Sequence, residues 1–353
     1  MNEGAGKQMR PTTKDLAIAA GVSLATVDRV LNDRAGVRPE TVERVNQAIE
    51  KIGFTRNLVA ANLARGKDHR FLFLLPQGGD QFLAGLIARI AEANVAFAAE
   101  MIRADVRQIP ASDPHQIANL LGTLDPRDID GVAIMAPESP QLRDARARLA
   151  ERGIDAVSFI SGQIEKGHTD FVGIDNHAAG ATAGRLMGRF SERVPGNILV
   201  IAETMHARDS LERRLGFDEI VTRDYPYLTV LPSLETHGDA ERTARIIRNS
   251  FASHRHIVGV YIASSEARAP LEVVTEEVTT GQLDLRRPVI IAHERTPFTE
   301  AALMADRIDA LITQDPGHLV RSAIRILRAR RDRREILASQ ERIRIEILFK
   351  ENL

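Results

Sequence analysis

The chain has 353 residues, which at roughly 100–200 residues per domain is enough for two or three domains. Hydrophobic residues make up 44% and charged residues 27%, an ordinary globular balance that excludes disordered, collagen-like and coiled-coil chains. Cysteine is absent, which removes disulfides, thiolate metal sites, iron–sulfur clusters and cysteine nucleophiles.

Net charge is −1, unevenly shared: residues 1–70 hold 12 Lys or Arg against 8 Asp or Glu, so the rest of the chain carries −5. A basic head on an acidic body is an electrostatic footprint for nucleic acid, although a solvated surface can look the same. The opening segment has no apolar signal-peptide core, and no uncharged apolar run approaches the roughly 18–20 residues of a membrane span. The expectation is a soluble, cytoplasmic protein without membrane contact.

Residues 12–52 read as short helices with no strand between them. Thr12 followed by Asp15 three positions later predicts an N-cap with an acidic N3, and Leu16, Ala17 and Ala20 supply a buried stripe. Gly21 breaks that helix, and Ser23 caps the next one, Leu24–Leu31. Pro39 suits the first turn of a third helix in which Val42, Val45, Ala48, Ile49 and Ile52 keep helical spacing until Gly53. Helix, Gly-Val-Ser turn, helix is a helix-turn-helix pattern, whose second helix enters the major groove by its N-terminus. Ala17, Val22, Val27 and Leu31 can form its small core, leaving Leu24, Ala25, Thr26 and Arg29 outward. A helix pair with no DNA role gives the same periodicity.

After the basic segment 65–70 the texture changes to short apolar runs alternating with amphipathic stretches. The runs are Phe71–Leu75, Val132–Met135, Ala156–Ile160, Ile198–Ile201, Val258–Ile262, Val289–Ala292 and Ala310–Thr313. Helical candidates between them include Phe82–Met101, Leu142–Arg152, Ala178–Phe190 and Leu319–Arg331. Strand alternating with helix implies parallel sheets flanked by helices, and the length implies two α/β lobes. Ligands in such sheets bind beyond the carboxyl ends of the strands.

The string Thr12-Thr13-Lys14-Asp15-Leu16-Ala17, then Ala20-Gly21-Val22-Ser23-Leu24-Ala25-Thr26-Val27-Asp28-Arg29-Val30-Leu31-Asn32, closely resembles the headpiece of the lac-repressor (LacI) family. Asn57-Leu58-Val59-Ala60-Ala61-Asn62-Leu63-Ala64 resembles that family's hinge helix. In the body, Val172-Gly173-Ile174-Asp175-Asn176, Arg213 before Gly216-Phe217, and Thr313-Gln314-Asp315 continue the likeness, so it covers nearly the whole chain. The resemblance implies an all-α helix-turn-helix headpiece at 1–56, a hinge helix and linker at 57–69, and a two-lobed α/β periplasmic-binding-protein-like domain at 70–353. It places the N-lobe at about 70–175 and 314–338, and the C-lobe at about 176–313 and 339–353.

It also implies roles. Arg29 offers a guanidinium to guanine or phosphate, Thr26 a hydroxyl to phosphate, and Lys14 a phosphate contact from the first helix. Ser23, at the start of the recognition helix, joins the DNA-binding set. Leu24 and Ala25 occupy base-choosing positions; both are apolar and suit a thymine methyl, and Leu24 has simple packing as its alternative. Asn32 caps the recognition helix or bonds a phosphate. Asp28 stands where most members carry serine; it orients Arg29, accepts from a cytosine amino group, or weakens non-specific attraction. Arg38 replaces the usual capping hydroxyl before Pro39. Asn57, Ala60 and Leu63 lie on the hinge, where Leu63 resembles the wedge inserted into the minor groove from both subunits, with an ordinary buried linker residue as its alternative. So short a helix is marginal alone, so its order can couple to DNA binding.

In the body, position matching nominates Phe82, Ser161, Arg213, Ser264, Glu266, Glu294 and Gln314 for a sugar or polyol between the lobes, each with a surface salt bridge or structural hydrogen bond as its alternative. Arg213, Glu294 and Gln314 are the expected grasping set. Ser161 departs from the family's common aspartate, and with no Trp and three Tyr any stacking falls to Phe82 or Phe298. Asp175 and Asn176 read as a turn and helix cap. No nucleotide-loop, zincin or hydrolase-elbow motif occurs, His254 and His256 lack further ligands, and Arg325–Arg334 read as a solvated face. A transport receptor and an α/β enzyme are the rival classes. The expectation is a homodimeric repressor of sugar or polyol genes, not an enzyme, needing no cofactor or metal, bound to near-palindromic double-stranded operator DNA and a small sugar-like effector.

Overall fold

The computed structural model describes residues 11–31, 34–54, 68–110, 113–162, 170–280 and 287–353. Asn32 and the hinge residues Asn57, Ala60 and Leu63 lie outside them. The chain divides into two compact units, one ending at Asp68 and one starting at His69.

The first unit holds α1 (Thr13–Ala20), α2 (Leu24–Leu31) and α3 (Pro39–Ile52). Its start is set by a capping box: the Asp15 amide donates to Thr12 Oγ1 (3.3 Å), and the Thr12 amide donates to the Asp15 carboxylate (2.7 Å). Gly21 and Gly53 end α1 and α3 in the left-handed conformation, each at φ 62°, where a side chain would be strained. Arg38 makes no side-chain cap, as its departure from a hydroxyl residue implies. The core is Leu16, Ala17, Ala20, Val27, Val45, Ala48 and Phe54, with Val22 and Leu31 packed partly against it.

The second unit contains two sheets. The first has the order β2-β1-β3-β4-β5 and is parallel throughout: β1 (His69–Pro76), β2 (Ile102–Ile109), β3 (Gly131–Ile134), β4 (Asp155–Phe159) and β5 (Phe171–Val172). The second runs β12-β11-β10-β9-β6-β7 with β8 also beside β6: β6 (Gly196–Ala202), β7 (Leu228–Val230), β8 (Leu234–Glu235), β9 (Ile257–Ile262), β10 (Val289–His293), β11 (Ala310–Thr313) and β12 (Glu346–Leu348). The expectation of parallel strands needs one correction, because β12 pairs antiparallel with β11. It is an edge strand reached only after the chain has passed through the first lobe, where α12 packs on the other sheet, so it does not return through a βαβ crossover on its own sheet.

The central strands are continuous apolar runs because helices cover both faces. Residues Phe71–Leu75 are all at most 3% exposed. Phe73 meets Phe159 edge to face at 5.3 Å between centroids, and burying each such ring is worth roughly 1.5–3 kcal/mol. The helices of this unit are α4 (Gln81–Ala96), α5 (Pro114–Thr123), α6 (Pro140–Glu151), α7 (Asn176–Phe190), α8 (Arg208–Asp224), α9 (Ala240–Ser253), α10 (Arg268–Thr280), α11 (Pro297–Met304), α12 (Pro316–Arg331) and the short α13 (Ala338–Glu341). The chain leaves the first sheet after β5, returns after β11 so that α12 packs on β1, β3, β4 and β5, and crosses again to β12. In each sheet the connections reverse direction between two adjacent strands, β1 and β3 in one and β6 and β9 in the other. The crevices beyond those strand ends are where an open α/β sheet admits a ligand.

The arginine run at the end of α12 is not the solvated face its composition suggests. Arg328 pairs with Glu100 and Asp332, Arg330 with Asp170, Arg331 with Asp130 (3.0 Å) and Arg334 with Asp332 (2.7 Å). Asp332 caps α12 itself, whereas Glu100, Asp130 and Asp170 come from other parts of the first lobe, so the run fastens α12 to it. Among the described residues no helix is long and apolar enough to cross a membrane.

Candidate nucleic-acid face and ligand cleft

On the first unit, Ser23 Oγ accepts the Thr26 amide (3.1 Å) and shares a hydrogen bond with Thr26 Oγ1 (2.8 Å). This caps the recognition helix and leaves its first turn facing solvent, where unpaired amides and the helix dipole favour phosphate. Leu24 is 49% exposed, so packing in the head's core does not account for it. Ala25, Arg29 and Lys14 are exposed as well. Asp28 forms an ion pair with Arg34 at 3.4 Å, a different arginine from the neighbour Arg29 it is expected to orient. Ile18, 80% exposed on α1, is an apolar surface residue that the sequence reading did not single out.

In the second unit, close packing of α7 on α8 builds the floor of a cleft. Gly180, Gly184 and Gly188 recur every fourth residue on α7, and a Cβ on Gly180 would stand 1.8 Å from the Arg213 carbonyl oxygen. From α8, Gly216 answers: a Cβ there would lie 2.0 Å from the His177 carbonyl oxygen. Only glycines permit this approach, which brings Arg213 against the start of α7.

Arg213 is 4% exposed and all its nitrogens are engaged: Nε donates to Asn176 Oδ1 (2.8 Å), Nη1 to the Ala263 carbonyl (2.9 Å) and Nη2 to Glu294 Oε1 (3.2 Å). Gln314 Nε2 donates to the same Glu294 oxygen (3.2 Å). The set Arg213, Glu294 and Gln314 is thus brought together, and Asn176 joins it. Asp175 alone does the capping, accepting the Ala178 amide (2.9 Å), so the reading of Asn176 as a cap residue is corrected. Asn176 is the first residue of α7 and 2% exposed, and its amide meets Arg213 across 37 positions of sequence.

Glu294 and Gln314 are each 1% exposed, and Glu294 Oε2 and Gln314 Oε1 have no hydrogen-bond partner. Burial pushes the Glu294 carboxyl up from its ordinary value, and the Arg213 guanidinium opposes that rise. Behind it, His293 bonds Tyr261 (2.7 Å), which stacks on Phe217; burial holds this histidine well below its usual pKa, hence neutral, and pushes the tyrosine up. The backbone is strained at both sides of the cleft. Ile160 and Glu294 each end a strand at φ 63°, a left-handed value that costs a non-glycine residue about 1–3 kcal/mol.

The other nominated residues are placed as follows. Ser264 is 6% exposed and donates to the Glu266 carbonyl (3.1 Å); Glu266 Oε1 accepts the Arg268 amide (2.7 Å) at the start of α10. Ser161 is half-buried just after Ile160. Phe82, 5% exposed, packs in the apolar cluster that also holds Phe73 and Phe159, while the guanidinium groups of Arg268 (4.9 Å) and Arg307 (5.5 Å) lie over the Phe298 ring. Two bonds join the lobes above this floor: Ser265 Oγ to Asp80 Oδ2 (3.3 Å) and the Phe298 amide to Gln81 Oε1 (2.9 Å). Two open grooves of about 550 and 760 Å3 lie elsewhere, and neither is lined by Arg213, Glu294 or Gln314.

Sequence reasoning missed Asp80, Glu203 and Asp209 at the cleft mouth. The signal was available for the first two: Asp80 follows β1 and Glu203 follows β6, where the strand-end rule points. Among the described residues no group of three or more His, Asp or Glu is placed to hold a metal ion.

Residues 12–57 match the family model of bacterial regulatory proteins, lacI family, and residues 71–333 match that of the periplasmic binding protein domain. Catabolite control protein A of Priestia megaterium is 31% identical over 128 residues, 36% of this chain and 37% of that protein. The maltose regulon regulatory protein MalI of Escherichia coli K12 is 33% identical over 174 residues, 48% of this chain and 47% of that protein. The matched stretches thus span less than half of either relative. A solute-binding protein of Burkholderia graminis in complex with D-arabinose superposes with TM-score 0.69 at 19% identity, covering 81% of this chain and 96% of the other. A LacI transcriptional regulator from Bacteroides fragilis, so described provisionally, superposes with TM-score 0.68 at 19% identity, covering 81% and 98%. The structural likenesses establish the two-lobed fold.

Proposed function

Because the chain belongs to the LacI family of bacterial regulatory proteins and carries a periplasmic-binding-protein domain behind its head, we propose that it is a transcriptional repressor of sugar or polyol catabolism or transport genes, switched by a small ligand held between its lobes. One observation carries this reading: a capped recognition helix with Leu24, Ala25 and Arg29 outward shares a chain with a buried polar cluster that keeps two acceptors unpartnered. A buried acceptor without a donor costs about 1–3 kcal/mol, a cost that a ligand hydroxyl relieves. The relatives' names, a catabolite control protein and a maltose regulon regulator, and the D-arabinose bound by a structural neighbour support a carbohydrate-like effector.

The working division is head 1–56, hinge and linker 57–69, and effector domain 70–353. The protein acts in the cytoplasm as a homodimer, and it is not an enzyme. On α4, Ala84, Ala88, Ala91 and Val95 are exposed along one face at helical spacing, with Val95 at 81%, which supports a second copy covering that face. Two heads then read the half-sites of a near-palindromic operator, and Leu63 from each hinge wedges the minor groove between them. Ligand closes the cleft and releases DNA.

Selection of bound sites from random duplex DNA, followed by titration of the winner against scrambled sequence at two salt concentrations, tests this. A palindrome bound about 10³-fold or more above scrambled DNA is the expected result. Enrichment of no sequence overturns the regulator reading. Leu63→Ala is expected to weaken and straighten the complex; unchanged affinity and bending remove the wedge.

A further inference from the structure

α4 and α11 lie in different lobes, and the first turn of each bonds to the other lobe. Asp80 caps α4 with Oδ1, which accepts the Leu83 amide (2.7 Å), while its Oδ2 accepts the Ser265 hydroxyl (3.3 Å) from the loop after β9. Gln81, the first residue of α4, accepts the Phe298 amide on Oε1 (2.9 Å). At the start of α11 that amide has no partner within its own helix. Pro297 has no N–H, the Thr299 amide donates to Thr296 Oγ1 (3.2 Å), and the Glu300 amide donates to the Thr296 carbonyl (2.9 Å). Phe298 is left over, and Gln81 supplies its acceptor from across the cleft.

The C-lobe side of this contact is braced. The guanidinium groups of Arg268 and Arg307 lie over the Phe298 ring, and Thr299 Oγ1 donates to the carbonyl of Glu294 (2.8 Å), whose side chain forms part of the cleft floor. Residues 294–299 thus carry a floor residue at one end and the cross-lobe amide near the other. Past Gln81 the helices part: an open groove of about 550 Å3 is lined by Gly85, Arg89 and Glu92 of α4 together with Arg295, Pro297 and Glu300. Asp80, Gln81, Ser265 and Phe298 are all half-buried, so water can replace either bond when the lobes separate, and each bond is worth little net.

Resting on the ligand-switched reading above, we propose that Gln81 and Asp80 form a latch that holds the lobes together without a ligand and keeps part of the protein in the state that releases DNA. Neither bond uses the side chains of Arg213, Asn176, Glu294 or Gln314, so ligand strengthens a closure that the latch already favours. α4 also carries the exposed face proposed to meet the second copy, so seizing or freeing its first turn acts next to that interface. DNA binds the unlatched fraction, and its apparent affinity falls in proportion to that fraction. Gln81 is a positioning residue, acting on DNA through the lobes.

The test compares Gln81→Ala and Gln81→Glu with the unaltered full-length protein in two measurements. One is titration of the operator selected from random DNA. The other needs no DNA: because the chain has no cysteine, Glu92→Cys on α4 and Ala301→Cys on α11 place one nitroxide on each helix, and their dipolar coupling in protein diluted with unlabelled chains reads the separation of the lobes. Gln81→Ala is expected to weaken the coupling and to bind the operator about threefold to tenfold tighter. Gln81→Glu keeps an acceptor at the same reach and should match the unaltered protein in both. Damage to the fold would weaken operator binding, so the sign separates a latch from a merely structural bond. Unchanged coupling in Gln81→Ala overturns the latch. A weakened coupling with unchanged or weaker operator binding overturns its hold on DNA. Selection of no operator overturns the regulator reading instead, and the coupling then decides by itself whether the lobes are latched.

Discussion

The head and the cleft solve recognition in opposite ways. In the head the residues that face outward lie within six positions of one another on α2, and the contacts that present them, Thr12 to Asp15 and Ser23 to Thr26, each span three residues. In the cleft Arg213 reaches Asn176 across 37 positions and Glu294 across 81. The head is therefore a local object, exposed and cheap to vary. The cleft is a global one, whose polar groups are buried and coupled, so a change at one is felt by all.

That contrast can be broken by experiment, beginning with the largest effect. Gly180→Ala places a methyl group against the Arg213 backbone, which has no rotamer to escape into, and is expected to destabilise the body by about 3 kcal/mol. Urea unfolding followed by circular dichroism checks this; an unchanged midpoint would mean that α7 and α8 are not locked together. Next, Arg29→Ala is expected to weaken the selected operator by about 1–3 kcal/mol while leaving scrambled DNA bound as before and the body's unfolding unmoved. An equal loss on both DNAs in a binding titration would make Arg29 a phosphate contact.

Ser23→Ala should cost the head about 1 kcal/mol through loss of the recognition-helix cap, read as earlier melting of the head in hydrogen exchange, with no change in body amides. The smallest effect concerns pH. Glu294 has its folded pKa raised by burial, so the stability associated with its proton is fully present below the unfolded value near 4.5 and is lost as pH rises through the folded value. Glu294→Gln keeps the hydrogen-bonding shape without that titration, and its urea midpoint should fall less with rising pH than that of the unaltered protein. Parallel curves would show that Glu294 ionises freely.

Much of the architecture was legible. All three head helices lie where their caps and glycines place them, and Ala310–Thr313 was read to the residue, because a central strand of a parallel sheet is an unbroken apolar run. β2 escaped because it is an edge strand: Ile102 and Ala104 are buried while Arg103 and Asp105 are exposed, so it never forms such a run. Of the cleft, position matching with the family nominated Arg213, Glu294 and Gln314. It missed Asn176, because the neighbouring Asp175 already satisfied the cap that both residues suggest.

Two groups of charged residues show the limit most clearly. The arginines of α12 and the acids of the cleft mouth are alike in sequence, charged residues with no motif around them. In the fold one set is paired, with Arg330 meeting Asp170 from 160 positions away, and among the described residues the other forms no ion pair. Sequence by itself determined the elements of this protein, since helix caps, glycine stops and apolar periods act over three or four residues and need no partner. Only the tertiary structure decided which charges meet, because an ion pair or an orphaned acceptor depends on distances between segments that the order of residues does not contain.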